Sequence, residues 1–112
     1  MVLDISTTDG ITIIPLIRRM DSENAPAIEA DLAHLVALPR QKVLFDFSKT
    51  EYIASAGLRV LLSTTRSILK GGGTVVLSSL SPQVRQVFEI AGFTKIFSIV
   101  PSREEGLRLF RN

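Results

Sequence analysis

The chain reads as an α/β domain. After an opening pair of β-rich segments, apolar runs of strand length alternate with segments whose apolar residues recur at helical spacing. The element order ββαβαβαβα predicts a mixed, mostly parallel sheet with helices packed on it, the first hairpin supplying the antiparallel part. A hydrophobic content of 46% with only 6% aromatic residues fits an aliphatic core, and 112 residues suit a single domain over residues 1–112.

Residues 2–7 and 11–17 are β-rich and flank Thr8-Asp9-Gly10, where Asp-Gly is a pair that type I′ hairpins favour. Pro15 has no N–H, so it belongs at an edge or bulge, or with the missing donor facing outward. Asp21 and Ser22 offer caps for a helix running to about Leu38, with Pro26 tolerated in the first turn, Pro39 beyond the end, and Ile28, Leu32, Leu35 and Val36 as the apolar stripe. Val43–Phe47 is a short apolar strand interrupted by Asp46, which reads as turn chemistry at the strand end or as part of a site built there.

A second helix follows from Ser55, with Leu58, Leu61, Leu62, Thr65, Ile68 and Leu69 on one face and Arg59, Ser63, Arg66 and Lys70 on the other. Gly71-Gly72-Gly73 lies after a helix and before a strand, the reverse of a phosphate-binding loop, so it reads as a C-cap and turn. Thr74–Ser78 is the next strand. Ser81-Pro82 opens a helix with Val84, Val87, Phe88 and Ala91 inward and Gly92 as its stop. Lys95–Val100 reads as a last strand, and Ser102-Arg103-Glu104-Glu105 has capping-box spacing for a final helix with Leu107 and Phe110 inward.

Composition narrows the function. Without cysteine there are no disulfides or thiolate metal sites, and the single His34 cannot build a metal centre, so no cofactor and no metal are expected. An enzymatic role for Ser55 would need a nucleophile elbow, but G-x-S-x-G is absent and His34 precedes Ser55, so catalysis is not expected. No apolar run reaches the ~20 residues of a membrane span, and MVLDISTTDG lacks the marks of a signal peptide, which predicts a cytoplasmic protein without membrane insertion. Net charge is +2, with five basic and eight acidic residues in 1–56 against eight basic and three acidic in 57–112. The basic residues of the second half stand singly at helical spacing without stacking aromatics, which argues against nucleic acid as a partner.

The sharpest local signal is Ser55-Ala56-Gly57 at the start of the second helix. A hydroxyl there is either an ordinary N-cap or a switch residue, since unpaired N–H groups and the positive dipole end would receive a phosphate well. The segments LIRRMDSENA, VLFDFSKTEYIASAGLRVLL, GGGTVVLSSLSPQV and FEIAGFTKIFSIVPSREEGL together resemble the STAS-domain family, in particular its freestanding bacterial anti-sigma-factor antagonists, over essentially the whole chain. The resemblance implies partner switching that regulates transcription or secretion. The antagonist binds an anti-sigma factor that is also a serine kinase, the kinase phosphorylates it, and a PP2C-type phosphatase reverses the modification. Carried over by position, the modified serine is Ser55; Ala54 stands where the family commonly has Asp, while Gly57 and Leu58 match. Tyr52, Ile53, Ala54, Ser55, Ala56, Gly57, Arg59, Ser63 and Arg66 are then expected to share the exposed side of the switch turn and helix and to meet the partner. The family also supports an alternative role, as a regulatory subunit of a transporter or stress-sensing complex.

Overall fold

The computed structural model describes residues 2–111. Strands β1 (Ser6–Thr8) and β2 (Ile11–Pro15) form the expected antiparallel hairpin, with Ser6 opposite Ile13 and Thr8 opposite Ile11. Asp9 and Gly10 take φ of 52° and 77°, the left-handed values that a type I′ turn requires. The chain then runs through β3 (Arg19–Met20), helix α1 (Ala25–Val36), β4 (Lys42–Asp46), β5 (Tyr52–Ile53), helix α2 (Ser55–Lys70), β6 (Thr74–Ser78), helix α3 (Pro82–Ile90), β7 (Ser98–Val100) and helix α4 (Arg103–Arg111). The main sheet has the order β1-β2-β4-β6-β7, with every pair parallel except the hairpin.

Alternation along the strands divides the core in two. Ile14, Val43, Phe45, Val75 and Leu77 pack with Ile28 and Leu32 of α1, Leu61 and Ile68 of α2, and Val84 and Phe88 of α3 in one large cluster. On the other face Ile11, Ile13, Leu44 and Val76 form a smaller cluster, covered by Val100 and by Leu107 and Phe110 of α4. Phe88 anchors an edge-to-face aromatic group with Phe47, Phe93 and Phe97, at centroid separations of 5.8, 6.4 and 5.7 Å.

Several expectations need correction. Residues 2–5 do not extend the hairpin, because the N–H groups of Val2 and Leu3 donate to Asp31 Oδ2 on α1, at 2.7 and 2.9 Å. Helix α1 begins at Ala25 with Asn24 as its N-cap. Asp21 serves instead in the preceding turn, where Oδ1 accepts from the amides of Glu23 and Asn24. The final strand is shorter than Lys95–Val100, since Phe93–Lys95 is a 3₁₀ turn and only Ser98–Val100 pairs with β6. Leu69 and Ala91, expected inward, are exposed.

Strands β3 and β5 were not expected at all. They pair in parallel as a separate two-stranded sheet, Arg19 opposite Tyr52 and Met20 opposite Ile53, immediately ahead of α2.

Candidate functional site

Ser55 is exposed at the first position of α2, and the N-cap is Ala54, whose backbone is extended (φ −96°, ψ 172°). This corrects the reading of Ser55 as a cap residue. The helix starts where it does because the Ala54 amide is spent on Met20 O at 2.8 Å, closing the β3/β5 register, while its carbonyl accepts from Leu58 N at 3.0 Å. Ala54 has no side-chain oxygen to offer. Among the described residues no acceptor faces the amides of Ser55, Ala56 or Gly57, so the positive end of α2 stands uncapped beside a free hydroxyl.

The two-stranded sheet carries the switch turn. Tyr52 lies outward at 45% exposure with the Arg19 guanidinium 4.6 Å from its ring centroid, and Arg18 pairs with Glu51 next to it. Strand alternation turns the next residue the other way: Ile53 is only 3% exposed and belongs to the large core cluster, so it cannot be offered to a partner as expected. Gly57 is buried as well. A Cβ there would lie 2.9 Å from Met20 Cβ and 3.1 Å from Met20 O, so its role is to let α2 approach β3 closely. Of the nine residues expected on the surface, Tyr52, Ser55, Arg59, Ser63 and Arg66 are exposed, Ala54 and Ala56 are half-buried, and Ile53 and Gly57 are buried.

Helix α2 is a ridge with a depression on each side. Toward α1 a groove of about 320 Å³ is lined by Ser22, Pro26, Glu29, Ala56, Arg59 and Ser63, among others. Toward the end of α3 a second groove of about 330 Å³ is lined by Ser55, Leu58, Arg59, Leu62, Ala91 and Phe93. Ser55 therefore borders an apolar hollow as well as a helix terminus. Sequence reading missed this hollow and the Arg19–Tyr52 pair, because Ala91 and Phe93 reach it only through the turn after α3, and Arg19 only through β3.

Asp46 is turn chemistry rather than part of the site. Its Oδ1 accepts from the Ser48 amide at 2.9 Å, and its Oδ2 accepts from Arg103 Nε and Nη2 at 3.2 and 2.6 Å, tying β4 to α4. His34 is exposed, and no cluster of His, Cys, Asp or Glu suited to a metal occurs among the described residues. Among the described residues no helix is long and apolar enough to cross a membrane.

An exposed serine at an uncapped helix start is thus carried on a small α/β domain. The chain belongs to the STAS domain family, whose model matches residues 3–106. It is 40% identical over 111 residues to BtrV of Bordetella bronchiseptica, provisionally named an anti-sigma factor antagonist, covering 99% of this chain and 96% of that one. The fold matches that of an anti-sigma-factor antagonist (STAS) domain protein from Planctomyces limnophilus with a TM-score of 0.91 at 17% identity, over 98% of both chains. It also matches the Bacillus cell fate determinant SpoIIAA in its phosphorylated form, with a TM-score of 0.72 at 20% identity, over 96% of this chain and 98% of that one.

Proposed function

We propose that this chain is a partner-switching anti-sigma factor antagonist. Unphosphorylated, it binds an anti-sigma factor that is also a serine kinase; phosphorylation of Ser55 by that kinase releases it, and a PP2C-type phosphatase restores binding. It acts by association, not by catalysis. The observation that carries this reading is the placement of Ser55: exposed, at the first turn of an uncapped helix, with its hydroxyl unused and Arg59 one turn further on. Its support from kinship is the 40% identity to a protein provisionally named an anti-sigma factor antagonist and the likeness in fold to a protein solved in a phosphorylated form.

Phosphate adds about −1.5 to −2 charge and three acceptor oxygens. At Ser55 those oxygens meet free amides and the dipole, so the modified residue is well received by its own chain. A docked partner, by contrast, would bury that charge against its own surface. An unpaired buried charge costs several times the ~1.4 kcal/mol that corresponds to tenfold in affinity.

The test is to incubate the purified chain with the serine kinase that it retains from the source cell and with ATP. One phosphate is expected on the wild type and none on Ser55→Ala. A main phosphosite at Ser48, Thr50 or Ser63 would overturn the assignment; Thr50 is already disfavoured, being buried with its hydroxyl donated to Ile17 O at 2.9 Å.

A further inference from the structure

We propose that the apolar groove between α2 and the turn after α3 receives an apolar side chain of the anti-sigma factor, flanked there by a carboxylate. This inference rests on the reading just given and names the chemistry of the partner. The groove floor is Leu58, Leu62 and Phe93, the last held in the edge-to-face aromatic group around Phe88. Its rim carries Ser55 and Arg59 on one side and the exposed Ala91 on the other, and Ile90, next in the chain, is 80% exposed. Apolar surface of this kind beside polar rim residues marks an interaction site.

Charge selects the occupant. Helix α2 bears Arg59, Arg66 and Lys70 and no acidic residue, and none of the three takes part in an ion pair among the described residues. Arg18, Arg19, Arg103 and Arg111 are all paired within the chain. Helix α3 adds one residue of each sign, Arg85 and Glu89. A partner that brings carboxylates meets cations with no other claim on them. The groove on the α1 side is less suited, because Glu29 lines it. A second copy of this chain would lay one basic stripe against another. Phosphorylation of Ser55 then has a specific consequence: the phosphate, on the rim of the groove, takes the place of the partner's carboxylate beside Arg59 and repels it.

The test titrates the purified kinase that the wild-type chain retains, and that phosphorylates it, against Ala91→Asp, Leu62→Ser, Arg66→Glu and, as a control on α4, Leu109→Asp. Ala91 and Leu109 are exposed, so these changes leave the fold intact, which thermal melts check. Expected are losses of about tenfold or more for the two groove variants and Arg66→Glu, a flatter salt dependence for Arg66→Glu, and no change for Leu109→Asp. Unchanged affinity of Ala91→Asp and Leu62→Ser, with Ser55 still phosphorylated, overturns the groove and leaves the functional reading standing. Failure of the wild-type chain to retain from the source cell any kinase that phosphorylates it overturns the functional reading and the assigned occupant together. Sedimentation showing dimers that Ala91→Asp dissolves would assign the groove to a second copy and overturn the proposal.

Discussion

Ser55 occupies the position after the N-cap, and this decides what its removal costs. A Ser lost from an N-cap costs about 1 kcal/mol, because an amide of the first turn loses its acceptor. At the first helical position the hydroxyl has no such duty, and among the described residues it forms no hydrogen bond. Ser55→Ala should therefore melt with the wild type, within about 0.5 kcal/mol, while accepting no phosphate and keeping its affinity for the anti-sigma factor. Calorimetry alongside binding titrations checks both halves. The complementary change is Ala54→Asp. The extended backbone at Ala54 suits a capping residue, so the new carboxylate should raise stability by about 1 kcal/mol. It would also occupy amides that a phosphate on Ser55 needs, so the melting gain on phosphorylation should shrink in this variant. An equal gain in both backgrounds would show that the phosphate does not use the helix terminus. That Ser55 opens the helix was legible from Ser-Ala-Gly before a helical apolar pattern, whereas the cap was not: alanine gives no polar signal, and the boundary is set by a contact with Met20, distant in sequence.

Elements were legible wherever a pattern ran for several residues. The hairpin showed itself through Asp9-Gly10, the central strands through continuous apolar runs, and α3 through Ser81, whose Oγ accepts from the Val84 amide at 3.2 Å. Strands β3 and β5 are two residues each, too short for any periodicity, so the sequence shows only a short polar turn ahead of Ser55 and no alternation that would turn Ile53 inward. The pairing of these strands makes Gly57 a point of close contact between α2 and the strands of the switch turn. Gly57→Val should push α2 off Met20 and Ile53, since the first added carbon already falls within 2.9 Å of Met20 Cβ. Overpacking of that kind costs about 1–3 kcal/mol. Because the strain falls under the switch turn, binding to the anti-sigma factor should weaken beyond what the loss of folded protein explains, as measured at a temperature where the variant is fully folded. An affinity equal to wild type there would show that β3/β5 merely supports the fold.

For the molecule as a whole, the sheet is built asymmetrically, with α1, α2 and α3 over one face and α4 alone over the other. Helix α4 is fastened at its start by Arg103 on Asp46 and at its end by Arg111 on Asp9. Burial pushes the Asp46 carboxyl up, but the Ser48 amide, the Arg103 hydrogen bonds and the Arg103 charge outweigh it and hold the group below its ordinary value. A carboxylate depressed in this way contributes stability at any pH above its unfolded value of about 3.9, and that contribution disappears as the pH falls through the native value. Replacing the cation reverses the balance. In Arg103→Met the carboxyl stays buried, at 5% side-chain exposure, with the Ser48 contacts alone, so its native value rises and acid unfolding should begin at higher pH than in the wild type. At neutral pH the loss should be about 1–3 kcal/mol, toward the lower end because the Arg103 side chain is itself 42% exposed and partly screened. Urea melts across a pH series measure both. An acid edge that does not move would show that Arg103 contributes packing and no charge. Since α4 and Ser55 lie on opposite sides of the sheet, the same variant should bind the anti-sigma factor with wild-type affinity wherever it is folded, and a loss of affinity there would extend the docking surface around the edge of the sheet.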